Sequence, residues 1–209
     1  MIRNNIVNKF RDLPTPFYYY DLDVLHSTCS KVKEESEKSG FSIHYAVKAN
    51  ANPRILEIIA SYGFGADCVS YNEIERAMEC GFSPSIIVFA GVGKTDLEIE
   101  SALKARIACF NCESIAEIEV IDSIAARLKT KATIALRINP YIEAHTHKYI
   151  TTAIAESKFG ISTRELKDVL DRISSLGNIE LEGIHFHVGS QITRMSVFRS
   201  LCSRVNELQ

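Results

Sequence analysis

From residue 43 onward, short apolar runs alternate with stretches in which apolar positions recur every three or four residues. The runs predict strands near 43 to 49, 64 to 69, 86 to 90, 107 to 112, 133 to 138 and 181 to 188. The stretches between them predict helices: Ile118, Ile121, Ala125 and Leu128 fall at the spacing that one buried helical face requires. Helix-start chemistry marks the junctions. Asn52-Pro53 supplies an N-cap with proline at the first helical position, and Ser70 with Glu73, Thr95 with Glu98, Ser114 with Glu117 and Ser162 with Glu165 read as capping boxes. Before residue 43, Phe17-Tyr18-Tyr19-Tyr20 reads as a strand, followed by a helix from about Leu22 to Ser39 that stops at Gly40.

Repeated βα units imply a parallel sheet with right-handed crossovers, either doubly wound or closed into a (β/α)₈ barrel. No glycine-rich dinucleotide fingerprint follows the first strand, which favours the barrel. Such barrels take roughly 250 residues, whereas this chain has 209 and shows six strands before a last helical pattern at Ser196 to Leu208. Two βα units are expected to be missing, and an open sheet would leave two apolar edges that complete proteins cover or close. The chain is therefore read as part of a longer protein.

Composition narrows the function classes. With 46% hydrophobic and 24% charged residues the sequence is that of a globular protein with material for one large core. A net charge of -2 offers no basic field for nucleic acid. No apolar stretch nears the roughly 18 to 20 residues that span a bilayer, and the polar start lacks a signal-peptide core, so neither membrane nor export is expected and the cytoplasm is the expected location. Six cysteines without an export signal are expected as thiols, and Cys109-Phe110-Asn111-Cys112 lacks the second pair that a zinc site would need. Gly91-Val92-Gly93-Lys94-Thr95 is not a phosphate loop, because Val88 stands where its first glycine belongs.

Candidate chemistry gathers at the carboxyl ends of the strands, where barrels place their active sites. Lys48 closes the first apolar run; taken alone it reads as a solvated edge residue, but half-desolvated at a sheet mouth it becomes a nucleophile toward an aldehyde. Asp67 ends the second strand and reads either as a turn carboxylate or as a site residue. Arg137 on a buried strand calls for an anionic partner. His185 and His187, two apart, share a side of the sixth strand and have the spacing of a metal pair, with His145 and His147 as the further ligands; no metal is expected. Gly189 before Ser190 lets backbone N–H groups approach an anion closely. Glu73 is set aside as a capping residue.

The string Tyr45-Ala46-Val47-Lys48-Ala49-Asn50-Ala51-Asn52 resembles the lysine strand of the alanine-racemase-fold, pyridoxal-phosphate-dependent enzymes. Thr15-Pro16-Phe17-Tyr18-Tyr19-Tyr20-Asp21, Gly65-Ala66-Asp67-Cys68-Val69-Ser70, Arg137-Ile138-Asn139-Pro140, Ser157-Lys158-Phe159-Gly160-Ile161 and His185-Phe186-His187-Val188-Gly189-Ser190-Gln191 match the amino acid decarboxylases of that fold. The resemblance spans essentially the whole chain. It implies a parallel (β/α)₈ TIM-type barrel of the alanine racemase fold, cut after about six strands and lacking the C-terminal β domain. Residues 1–24 would then be a strand segment normally belonging to the β domain, and residues 25–209 a partial pyridoxal-phosphate-binding barrel.

The resemblance further implies that Lys48 holds pyridoxal 5'-phosphate as an internal aldimine. Asp67 would lie near the lysine and cofactor, Arg137 would face an anionic partner, His187 would stack on the cofactor ring and Ser190 would contact its phosphate. The strings Thr146–Thr152 and Ser157–Gly160 are most similar to members that convert meso-diaminopimelate to L-lysine and carbon dioxide, although that pattern has proline where Lys148 stands and Thr-Gly where Thr151-Thr152 stands. Members acting on ornithine, arginine or carboxynorspermidine are the alternative, with a non-catalytic pyridoxal-phosphate-binding barrel and a metal-dependent barrel hydrolase behind them. Family members are homodimers whose site is completed by C-terminal elements that lie beyond Gln209, so this chain by itself is expected to bind the cofactor weakly and to be inactive.

Overall fold

The computed structural model describes residues 10–139, 159–190 and 192–208. Two compact units divide between Phe41 and Ser42.

In the first unit, α1 (Leu22–Ser39) starts where expected because the Asp21 carboxylate accepts the amides of Asp23 and Val24 at 3.1 and 3.3 Å. It stops at Gly40, whose left-handed backbone (φ 70°) lets the Phe41 amide return to the Ser36 carbonyl at 3.0 Å. Residues 17–20 form no strand, correcting the expectation, since no partner strand pairs with them among the described residues. The period-two alternation survives: Phe17 and Tyr19 both pack on Phe10 at 5.3 and 5.1 Å, while Tyr18 and Tyr20 stack on each other at 6.4 Å.

The second unit is a parallel sheet. Its strands are β1 (His44–Ala46), β2 (Gly65–Cys68), β3 (Ile87–Phe89), β4 (Cys109–Cys112), β5 (Ala132–Asn139), β6 (Ile161–Ser162) and β7 (Ile179–His185). The first five pair in sequence order, and β7 pairs along β5 up to Arg137. The two-residue β6, not anticipated, continues that edge by pairing with Ile138 and Asn139. The other six strands are those the sequence predicts. Among the described residues the sheet is open, with β1 and β7 at its edges and Leu181 and Ile184 of β7 partly exposed.

Helices α2 (Pro53–Ser61), α3 (Tyr71–Glu79), α4 (Asp96–Ala105), α5 (Ile115–Leu128), α6 (Leu166–Ile173) and α7 (Met195–Leu208) follow the strands. Ile55, Leu56 and Ile59 of α2, Ile99 and Leu103 of α4, and Ile118, Ile121, Ile124 and Ala125 of α5 are buried, as are Ile134, Leu136 and Ile138 on alternate positions of β5. Each such aliphatic side chain contributes about 1.5 to 3 kcal/mol of burial. This core fixes the sheet, and so fixes which strand residues share a face.

Caps set the strand-to-helix turns. Asn52 accepts the Arg54 amide at 3.0 Å, and Thr95 with Glu98 forms a full capping box. Ser70 and Ser114 cap the amides of Glu73 and Glu117, but each glutamate reaches one residue further back than a box requires, to the amides of Val69 and Glu113 at 2.8 Å. Ser162 and Glu165 close a turn instead, and α6 starts after it at Leu166. No helix among the described residues is long and apolar enough to cross a membrane.

Candidate active site

Strand register assembles the site. Parallel neighbours present the same face, so Ala46 beside Asp67, Asn111 beside Ala135 and Arg137 beside His185 all lie on one face of the sheet, at successive levels along the strands. Stepping by two along each strand, that face carries His44 at the start of β1, and Asp67, Glu113, Arg137 and His185 toward or just past the carboxyl ends of β2, β4, β5 and β7. Lys48 lies just past β1 and His187 just past β7.

β1 stops at Ala46, and the chain turns through a short 3₁₀ segment, Val47–Ala49, so Lys48 does not close a strand as expected. Val47 is fully buried and anchors the turn. Asn50 closes it by donating to the Val47 carbonyl at 3.1 Å, its side chain accepts the Asn52 amide at 2.9 Å, and the Tyr45 hydroxyl donates to the Asn50 carbonyl at 3.3 Å. Lys48 is thereby held between a core anchor and a capped turn, exposed rather than half-desolvated.

Asp67 answers to that lysine. Burial pushes its carboxyl up from the ordinary range, opposed by the charges of Lys48, His44 and His187 and reinforced by Glu73. One of its oxygens, Oδ1, is buried without a hydrogen-bond partner. His44 lies across Gly65, where an added Cβ would clash with its ring; desolvation lowers its pKa, with Asp67 opposing.

Arg137 donates to Glu113 Oε1 at 2.6 Å, with side chains 13% and 7% exposed, and its guanidinium lies 5.7 Å from the Phe159 ring. The anionic partner anticipated for Arg137 is thus, in this structure, a carboxylate of the chain itself. His185 Nδ1 is also buried without a partner. Burial, joined by the charges of Arg137, His187 and Lys94, lowers its pKa to about 4, so its imidazole is neutral at pH 7. β7 ends at His185, and His187 is half-buried in the irregular segment that follows. Ser190 is exposed, next to Gly189 at φ 107°. His145 and His147 lie outside the described residues, as do Pro140, the 146–152 string, Ser157, Lys158 and Gln191.

Sequence reasoning missed Glu113, His44 and Lys94. Glu113 was detectable as the residue one step past β4 and two past Asn111. Lys94, set aside with the phosphate-loop mimic, is 1% exposed and donates to Glu117 and to the carbonyls of Gly91 and Asn111. Glu73 is accounted for by its capping bonds. Burial pushes Cys109 up to about 12 and Cys112 well above the usual thiol range, in keeping with structural roles.

A low histidine pKa ties stability to pH. The unfolded chain takes a proton on His185 near pH 6.5 and the folded chain near 4, so stability falls as pH drops through that window. The loss is expected to reach about 3 kcal/mol, with no further loss from this group below pH 4. Urea unfolding at pH 7 and 4.5 checks it: His185→Leu should show a smaller difference between the two pH values than the parent.

Fold and site together define a parallel βα protein of the TIM-barrel type, with its polar cluster at the strand carboxyl ends. The family profile described as "Pyridoxal-dependent decarboxylase, pyridoxal binding domain" matches residues 22–209, and the chain belongs to that family. It is 53% identical over 204 residues to a diaminopimelate decarboxylase of Bacteroides thetaiotaomicron, covering 97% of this chain and 53% of that protein. It is 41% identical over 204 residues to one from Helicobacter pylori, covering 98% and 50%. Among solved structures, Helicobacter pylori diaminopimelate decarboxylase complexed with L-lysine superposes with a TM-score of 0.85 at 39% identity, over 98% of this chain and 53% of that one. An arginine decarboxylase of Paramecium bursaria Chlorella virus gives 0.80 at 25% identity, over 98% and 53%. The chain spans about half the length of the curated relatives it matches.

Proposed function

We propose that this chain is the cofactor-holding half of a pyridoxal-phosphate-dependent decarboxylase that converts meso-diaminopimelate to L-lysine and carbon dioxide. The observation that carries the reading is the shared sheet face of Asp67, Arg137 and His185, flanked by Lys48 and His187 just past the ends of β1 and β7. The fit to the cofactor is chemical. Asp67 Oδ1 and His185 Nδ1 are buried and unpartnered, which is costly unless a polar ligand meets such atoms, and Gly189 at φ 107° has the left-handed backbone, beside Ser190, that anion-binding turns use.

Lys48 is assigned as the amine that holds the cofactor's aldehyde carbon. Its exposure suits a group that must be reached and must exchange partners with an incoming amino acid. Asp67 keeps a negative charge beside that amine and orients it. Arg137, fixed by Glu113, presents positive charge at the mouth, His187 provides a flat face for the ring, and Ser190 provides a hydroxyl and amide for the phosphate. When bound, the cofactor supplies the conjugated ring that takes up the electron pair left as the α-carboxylate departs. The rest of the site is assigned to the longer protein's further elements and to a homodimer interface, and the protein to the cytosol.

Diaminopimelate is favoured over arginine because identity to diaminopimelate decarboxylases reaches 53%, against 25% for the arginine enzyme. The test is turnover by the longer protein that contains this chain, offered meso-diaminopimelate, L-ornithine and L-arginine separately. L-lysine from the first substrate is the expected product; decarboxylation of only ornithine or arginine would reassign the substrate.

A further inference from the structure

We propose that the buried Lys94–Glu117 pair is a positioning device for Arg137, acting through the backbone and carboxylate of Glu113. The inference rests on the assignment of Arg137 to the cofactor site only for its consequence; the linkage itself is geometric.

Lys94 Nζ donates to Glu117 Oε1 at 2.6 Å, the Gly91 carbonyl at 2.8 Å and the Asn111 carbonyl at 2.9 Å, which occupies all three of its protons. It lies 5.3 Å from the Phe89 ring. An ammonium with 1% exposure is tolerable only when so completely satisfied, and here it pins the β3–α4 loop and the end of β4 to α5. Glu117 is the relay. Its second oxygen accepts the Glu113 amide at 2.8 Å, so the residue between β4 and α5 is held by a carboxylate that is itself clamped by Lys94.

Glu113 then passes the constraint on, through its 2.6 Å bond to Arg137 Nη1. On the far side, Gly160 packs against the Arg137 carbonyl so closely that an added Cβ would stand 2.9 Å away, and Phe159 covers the guanidinium. Arg137 is thus placed from two directions, one of which runs through three consecutive hydrogen bonds to Lys94. A site residue held to within a fraction of an ångström needs such supporting contacts, and a charge network spanning residues 23 and 24 apart in sequence is a costly construction for packing alone.

The readout is the titration of His185, the imidazole beside Arg137 whose proton is opposed by burial and by the charges of Arg137, His187 and Lys94. Glu117→Gln keeps Lys94 but leaves one acceptor oxygen for two donors. Removal of the glutamate's negative charge can only hold the His185 pKa where it is or lower it, whereas release of Arg137 raises it. The expected result, by NMR of the cofactor-free protein, is a rise of about one pH unit, together with roughly 10-fold weaker pyridoxal phosphate binding by the full protein. An unchanged or lower His185 pKa overturns the proposal. Glu117→Asp, which keeps the charge and shortens the reach, gives the same comparison in a milder variant, with a smaller rise expected and no rise again contradicting it. If the parent protein binds no pyridoxal phosphate the proposed function fails, while the His185 titration still decides the role of the pair.

Discussion

Lys48→Ala in the longer protein is expected to lower decarboxylation by roughly 10³-fold or more, because covalent attachment and proton exchange are both assigned to this amine. Folding should be almost unaffected. Lys48 is exposed, and its turn is held by Val47, Asn50 and Tyr45, none of which depends on the ammonium. Removing the lysine charge also removes the largest Coulombic support of the Asp67 carboxylate, so the Asp67 pKa should rise further. The variant therefore separates chemistry from stability: turnover collapses while the urea midpoint stays near that of the parent. A matched loss of both, or retention of turnover, would contradict the assignment.

A large loss of stability is expected for Arg137→Leu. Glu113 would be left 7% exposed with its guanidinium partner gone, and breaking a buried pair from one side costs about 3 to 5 kcal/mol. Replacing both members, Arg137→Leu with Glu113→Leu, should recover most of that loss, since the uncompensated charge disappears. Thermal or urea unfolding of the two variants checks the sign. A single variant within about 0.5 kcal/mol of the parent would mean that the pair is solvent-screened.

The βα order was legible because its signals are local: apolar runs, a proline after Asn52, serines and threonine before the helices, Gly40 after α1. These act within a turn of chain and need no knowledge of the rest of the fold. Pattern did not resolve the strand ends. Lys48 and His187 continue apolar runs but stand just outside β1 and β7, where the hydrogen-bonded ladder stops. Phe17–Tyr20 has strand composition yet forms no strand, since a strand is made by its partner as much as by its own residues.

Lys48, Asp67, Arg137 and His187 are legible as site candidates through matching strings, and register groups Asp67 and Arg137 on one face with the others at its margin. Ser190 sits at the expected place in the chain with no described contact to the rest. Glu113 escaped because nothing local marks it: it reads as a loop residue until β4 and β5 are aligned and set it opposite Arg137. Lys94 escaped for the same reason, its partners lying up to 23 residues away. Long-range pairing is what a single sequence withholds.

The central claim, that Lys48 is the amine that carries the cofactor, is tested most directly by incubating the protein with pyridoxal phosphate, reducing with borohydride and mapping peptides by mass spectrometry. The account predicts one phosphopyridoxyl group, on the peptide that contains Lys48, lost in Lys48→Ala. Modification of other lysines with Lys48 left bare would contradict it.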